Sequence, residues 1–91
     1  MPLYTYIAHY KARTGVEQVR RSNYRGFASS AVDSMVKRSS LGAGLTSLRN
    51  ELAGKVMRSE WSAVSNTSNV WRTSFDLEGD QFELYAVQSK D

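Results

Sequence analysis

The stretch VWRTSFDLEGDQFELYAV, residues 70–87, predicts the best-defined element of the chain, a β-hairpin. Glu78-Gly79 supplies its two-residue loop, since glycine readily adopts the positive φ that such loops require. In this register Phe75 pairs with Phe82, and apolar residues fall on one face while polar and acidic residues fall on the other. A slip by one residue would mix the two sets, so the pattern itself selects the register. The other pairs on the apolar face are Thr73 with Leu84 and Trp71 with Ala86.

A further hairpin is predicted before residue 25. Residues 3–11 alternate and are rich in β-branched and aromatic side chains, which is typical of a strand. The segment 12–15 ends in Gly15 and predicts the turn, and a returning strand runs from Val16 to about Tyr24. Loops of several lengths give acceptable pairs, so the sequence leaves this register open. One face of the first strand carries Tyr4, Tyr6, Ala8 and Tyr10, and neither face is wholly polar.

Helical segments are predicted between the two hairpins. Over residues 27–38 apolar residues recur at helical spacing, and Ser30 followed by Asp33 resembles a capping box. Residues 45–58 carry a second apolar stripe at the same spacing. Glycines between the two segments leave open whether they form two helices or one long kinked helix. Residues 62–69 are polar and predict a loop.

These elements predict an α+β fold with the order strand-strand-helix(-helix)-strand-strand. The expected architecture is a four-stranded antiparallel sheet, made of two hairpins, with one or two helices packed on one face. A chain of 91 residues is expected to form a single domain over residues 1–91, because shorter pieces bury too little apolar surface to fold alone.

Composition narrows the functional classes. The chain has no cysteine, which excludes a disulfide framework and a thiolate metal site. It shows neither a signal-peptide pattern nor an apolar run of membrane-spanning length, so a cytoplasmic location without membrane contact is expected. Gly42-Ala43-Gly44 precedes a predicted helix but lacks the strand before it and the Lys-Ser/Thr pair after it that a phosphate loop needs. No cofactor and no metal are therefore expected.

Charge is unevenly distributed along the chain. Residues 1–58 carry ten Lys/Arg and three Asp/Glu, whereas residues 59–91 carry two Lys/Arg and six Asp/Glu. Such a split suits a protein that docks by electrostatics against nucleic acid or an acidic protein surface.

Arginines and tyrosines cluster around the first hairpin and predict the binding site. Arginine and tyrosine together contact nucleic-acid backbones and stack on bases, and they are also enriched at the centres of protein interfaces. The plain alternative is the solvated face of a small basic domain. The candidate partner-binding residues are Tyr10, Lys11, Arg13, Arg20, Arg21, Tyr24, Arg25, Lys37 and Arg38.

Catalytic patterns are weak. His9 is the single histidine of the chain, and no serine or acid stands at a spacing that indicates a triad. A small ribonuclease that uses His9 is kept as a minor hypothesis. The acids from Asp76 to Glu83 have neither calcium-loop spacing nor the pattern of paired catalytic carboxylates, and they predict an exposed, solubilising turn.

The sequence therefore predicts a non-enzymatic interaction protein that binds a macromolecular partner, most readily a protein, and blocks it by occupying its surface. The small size, the absence of cysteine and the many serines suggest an accessory protein of a phage or mobile element that inhibits a host complex. Sequence-tolerant binding of DNA or RNA by the same basic surface is the alternative. Self-association into a homodimer through the first strand is also considered.

Overall fold

Two hairpins and two helices make up the computed structural model, which describes residues 1–89. The chain forms strands and helices in the order β1 (Leu3–Tyr10), β2 (Arg13–Arg20), α1 (Ala28–Lys37), α2 (Arg49–Arg58), β3 (Ser62–Ala63), β4 (Val70–Leu77) and β5 (Asp80–Gln88). A 3₁₀ helix, Ala43–Leu48, leads directly into α2. Lys90 and Asp91, which contribute to the predicted charge split, lie outside the described residues.

The strands form one antiparallel sheet in the order β2-β1-β5-β4-β3. The two hairpins meet through β1 and β5, where Tyr6 lies opposite Ala86. The α+β class and the antiparallel sheet are confirmed, but the sheet has five strands rather than four. The extra strand is β3, where Ser62 and Ala63 pair with β4 inside the predicted loop. Two residues are too few to show an alternating pattern, so the sequence does not reveal this strand.

The C-terminal hairpin has the predicted register. Phe75 lies opposite Phe82, Thr73 opposite Leu84 and Trp71 opposite Ala86. The loop residues Glu78 and Gly79 have φ values of 53° and 87°, as expected for the two-residue turn that matches the twist of the strands.

The turn of the first hairpin differs from the prediction. It consists of Lys11 and Ala12, whose φ values are 48° and 64°, and Gly15 lies inside β2 opposite Ala8. The bare backbone of Gly15 lets α1 pack closely there, since a Cβ atom would stand 3.0 Å from the sulfur of Met35 on that helix. The second strand also ends at Arg20, before the predicted end at Tyr24.

The helices are separate and begin later than predicted. A bend at Ser39 and Gly42, with φ values of 59° and 99°, divides α1 from the 3₁₀ helix, so a single kinked helix is wrong. The first turn of the predicted second helix is this 3₁₀ helix. The capping box is also wrong, since α1 begins after Phe27 without a side-chain cap. The predicted apolar stripe of α1 is buried, and it comprises Ala28, Ala31, Val32, Met35 and Val36.

Both helices pack on the same face of the sheet and enclose the core. The helices cover the face of the first hairpin that carries Tyr6 and Ala8, which are fully buried. Their neighbour His9 points to the opposite, exposed face. The buried sheet residues are Tyr4, Tyr6, Ala8, Tyr10, Gly15, Thr73, Leu77, Phe82, Leu84 and Ala86, and the buried residues of α2 are Leu52 and Val56.

An ion pair ties the two helices together. The Asp33 carboxylate on α1 accepts hydrogen bonds from Nε and Nη2 of Arg49 on α2, at 2.8 and 3.1 Å. Lys37 lies one turn further on, with its Nζ 3.4 Å from the same carboxylate. The hydrogen bonds from Arg49 lower the pKa of Asp33.

We expect Asp33→Asn to lower the melting temperature modestly at neutral pH and to have no effect in strong acid. Because the pKa of Asp33 is lower in the folded chain, its stabilising contribution is present above about pH 4 and is lost as the pH falls through the folded value. Thermal unfolding of both chains, followed by circular dichroism at about pH 7 and about pH 2, measures the difference. An equal difference at both pH values would contradict this role for the carboxylate.

We expect Gly15→Val to lower the free energy of unfolding by about 1–3 kcal/mol, the usual cost of overpacking a well-packed site. The valine would press on Met35, and its Cβ would also stand 3.3 Å from Leu41. The matched control is Thr14→Val, which places the same side chain on the exposed neighbouring position of β2. Urea denaturation of the two variants should separate them, and equal stabilities would show that α1 does not need the bare backbone of Gly15.

Candidate interaction surface

An aromatic cluster lies at the end of the sheet where β1 begins and β4 begins. The ring of Tyr24 stacks on Trp71, with centroids 4.3 Å apart and planes inclined by 12°. Trp61 meets Tyr24 edge to face at 5.2 Å. Tyr4 supports both Tyr24 and Trp71 from the core, at 6.3 and 6.4 Å. Tyr24, Trp61 and Trp71 are partly exposed, so the cluster is anchored in the core and open to solvent.

Three elements bring these rings together. Trp71 stands on β4 opposite Ala63 of β3, so the short strand β3 brings the preceding residue Trp61 to the same corner. Tyr24 comes from the loop between β2 and α1, which Asn23 turns by accepting a hydrogen bond from the Gly26 N–H at 2.6 Å. The cluster therefore depends on the loop after β2 and on strand β3, two features that the sequence patterns do not predict.

Tyr6 fixes the loop to the sheet. Its hydroxyl donates to the backbone carbonyl of Tyr24 at 2.6 Å, while its ring is fully buried. Burial disfavours the phenolate and raises the pKa of Tyr6 to about 12, so the hydroxyl stays a donor over the physiological pH range.

Three arginines lie near Tyr24 in the sequence, one at the end of β2 and two in the loop that follows it. Arg25 follows Tyr24, is exposed, and has no hydrogen bond or ion pair within residues 1–89. Arg21 lies over the ring of Phe27 at 5.4 Å and donates to the carbonyl of Arg20 at 2.8 Å. Arg20 is exposed at the end of β2 and donates to the carbonyl of Met1 at 3.2 Å. The corner thus combines partly exposed aromatic rings with positive charge.

The predicted site residues fall into three separate groups. Tyr24 belongs to the aromatic cluster, Arg21 and Arg25 lie in the loop that carries it, and Arg20 lies at the end of β2. Tyr10, Lys11 and Arg13 lie at the opposite end of β1 and β2, and Lys37 and Arg38 lie at the end of α1. Tyr10 is only 4% exposed and donates its hydroxyl to the Leu77 carbonyl at 2.7 Å, so it offers little surface to a macromolecular partner.

Several predicted contact residues already have acidic partners. Lys11 reaches Asp80 at 3.5 Å and Lys37 reaches Asp33 at 3.4 Å. Arg38 binds Glu17 at 2.7 Å and also donates to the Val16 carbonyl at 2.9 Å. The Lys11–Asp80 pair joins the basic part of the chain to the acidic C-terminal hairpin. Part of the charge split is therefore neutralised inside the molecule.

Trp61 and Trp71 were not predicted as site residues. Trp71 was assigned only to the apolar face of a hairpin, and Trp61 was assigned to no element. Their residue type was the available signal, because tryptophan is the residue most enriched at the energetic centres of interfaces. Both lie in the acidic part of the chain, outside residues 1–58, which hold the Lys and Arg residues on which the predicted site is based.

The described part of the chain offers few candidate residues for catalysis or metal binding. His9 is exposed, and its Nδ1 lies 3.2 Å from the hydroxyl of Thr14. Within residues 1–89 no three histidine, aspartate or glutamate side chains gather to hold a metal ion. None of the helices there is long and apolar enough to cross a membrane.

Comparison with known proteins gives no match: no family model, no curated protein and no solved structure is significantly similar to the chain. The functional interpretation therefore depends on the surface itself.

We expect Tyr6→Phe to lower the free energy of unfolding by about 1 kcal/mol, because the Tyr24 carbonyl loses its donor. The loop should loosen, which would weaken the stacking of Tyr24 on Trp71 and reduce the near-ultraviolet circular dichroism of the cluster. Tyr85→Phe, on the opposite sheet face, is the matched control. An unchanged near-ultraviolet spectrum in Tyr6→Phe would show that the hydroxyl does not hold the loop.

Tyr6→Phe should also change how the free energy of unfolding depends on pH in the alkaline range. With a pKa of about 12 in the folded chain and about 10 when unfolded, Tyr6 contributes stability that is full below about pH 10 and is lost as the pH rises through about 12. The stability difference between the native chain and Tyr6→Phe should therefore shrink over that range, which denaturant titrations at about pH 8 and about pH 11 would measure.

Proposed function

We propose that this chain is a non-enzymatic interaction protein that binds a protein partner through the aromatic cluster and the arginines beside it. The observation that carries the proposal is the solvent-open stack of Tyr24 and Trp71, with Trp61 at its edge. Arg25 follows Tyr24 in the chain, and its side chain has no partner among residues 1–89. Tryptophan, tyrosine and arginine are the residues that most often supply the energetic centre of a protein interface.

Rigidity supports this proposal. The rings are held by each other, by Tyr4 beneath them and by the Tyr6 hydrogen bond to the loop. Side chains that are already ordered lose little entropy on binding, so a small surface can reach useful affinity. The partner would be blocked by occupancy, and the proposed class remains an accessory protein of a phage or mobile element that inhibits a host complex.

Nucleic-acid binding is less well supported by the same geometry. The aromatic face that a base would need is partly taken, because Tyr24 covers one face of Trp71 at 4.3 Å. The basic residues that would extend a phosphate-binding track, Lys37 and Arg38, are engaged with Asp33 and Glu17. A net charge of +3 is also small for a protein that binds chiefly through phosphates.

A binding experiment with a matched charge control tests the proposal. Partners captured by the tagged chain would be identified by mass spectrometry, purified, and titrated with the native chain and its variants. We expect Arg25→Glu and Trp61→Ala to weaken binding about tenfold or more, the range of interface hot spots. Arg13→Glu makes the same charge change at the other end of the sheet and should leave the affinity within about twofold.

The binding test is decisive only with variants that still fold. If Arg25→Glu and Trp61→Ala keep native circular dichroism and still bind as tightly as the native chain, the aromatic cluster is not the contact surface. Fluorescence anisotropy with labelled duplex DNA and single-stranded RNA, at about 50 and 200 mM salt, tests the alternative. Binding that collapses over this salt range would favour a nucleic-acid partner.

A further inference from the structure

A second feature lies at the far end of the sheet from the aromatic cluster. The turn of the first hairpin, the turn of the second hairpin and the 3₁₀ helix surround a cavity of about 530 Å³. This size falls within the range of small-molecule sites in proteins. Along β1 the cavity begins at Tyr10, six residues beyond Tyr4, so about 20 Å of strand separates it from the aromatic cluster.

The inner wall of the cavity is apolar. Leu41 and Leu45 are each 3% exposed and belong to the core, and Leu48 at the end of the 3₁₀ helix is partly exposed. The ring of Tyr10 completes this wall, with its hydroxyl already bound to the Leu77 carbonyl. The wall therefore suits a short aliphatic group, and its one buried hydroxyl is already satisfied.

The mouth of the cavity carries two cations. The guanidinium of Arg13 makes no hydrogen bond or ion pair within residues 1–89. Its side chain runs along Gly42, where a Cβ atom would stand 3.3 Å from both Cδ and Nε of Arg13. The bare backbone of Gly42, with φ at 99°, thus lets the arginine lie along the rim. Lys11 is the second cation, with its Nζ 5.5 Å from the centre of the Tyr10 ring.

We propose that this cavity binds a carboxylate attached to a short apolar group. The carboxylate would pair with the Arg13 guanidinium, and the apolar group would lie against the leucine wall. A single negative charge fits better than a phosphate. Asp80 already engages Lys11 at 3.5 Å, and Glu78 also lines the cavity, so the two cations are matched by two carboxylates and no surplus of positive charge is left to hold a dianion.

Two sources can supply this ligand chemistry, a free aliphatic acid and the C-terminus of a peptide that ends in an aliphatic residue. Octanoate and a hexapeptide ending in leucine with a free carboxylate are the two probes. Octylamine and the amidated hexapeptide are their controls, since they keep the apolar group and lack the carboxylate. Titration of the isotope-labelled native chain by NMR would map the amide signals that each probe shifts.

We expect at least one carboxylate probe to shift the amides of residues 10–13 and 41–48 in a saturable way, and its control to leave them unchanged. Binding by octanoate alone would indicate a free acid, and binding by the peptide alone would indicate a C-terminus. Arg13→Gln should weaken the binding about tenfold, the usual effect of losing a charge-assisted hydrogen bond. Arg58→Gln removes an exposed arginine at the C-terminal end of α2, outside the lining of the cavity, and should bind as the native chain does.

Three results would overturn the proposal: no saturable shift with either carboxylate, equal shifts with the control compounds, or full binding by Arg13→Gln. The proposal is independent of the proposed function, because it concerns residues that the aromatic cluster does not share. Loss of partner binding in Trp61→Ala and loss of carboxylate binding in Arg13→Gln are therefore separate outcomes.

Discussion

The pairing of β1 with β5 is the interaction on which the rest of the structure depends. It joins two hairpins that are far apart in sequence, since even the closest pair, His9 with Glu83, spans 74 positions. The pairing sets Tyr6 and Ala86 side by side on one face, and both are fully buried there. Once that face is fixed, the helices have one surface to cover. The two ends of the β1–β5 pair then become the two corners at which the aromatic cluster and the cavity form.

Sequence patterns within one hairpin predict its structure only where the residues of that hairpin determine its register. The hairpin over residues 70–87 was predictable because alternation and the Glu78-Gly79 loop agree on a single register. The first hairpin offered a false signal, since Gly15 looked like a turn residue and instead makes room for α1. Its true turn places Lys11 at positive φ, which residue preferences do not favour. Such a position is chosen by the register of the whole sheet and not by its own sequence.

The candidate site shows a similar division. Tyr10 and Tyr24 look equivalent in sequence, each standing beside a basic residue, yet one is core and the other is partly exposed. The alternation of β1 accounts for Tyr10, because it shares a face with the buried Tyr6. Tyr24 follows the end of its strand, where no period applies. The sequence also does not predict which acids pair with the basic residues. Arg38 and Glu17, for example, are 21 positions apart and meet only in the folded chain.

The contact between Arg38 and β2 also bears on solubility. An edge strand presents unpaired backbone groups, and these can recruit a strand from another molecule and start aggregation. At the β2 edge the Arg38 guanidinium already occupies the carbonyl of Val16, a residue that is 51% exposed. An incoming strand would have to displace this charged group and break its bond to Glu17 before it could add to the sheet. A residue that sequence reasoning assigned to capturing partners thus discourages the pairing of one copy of the chain with another.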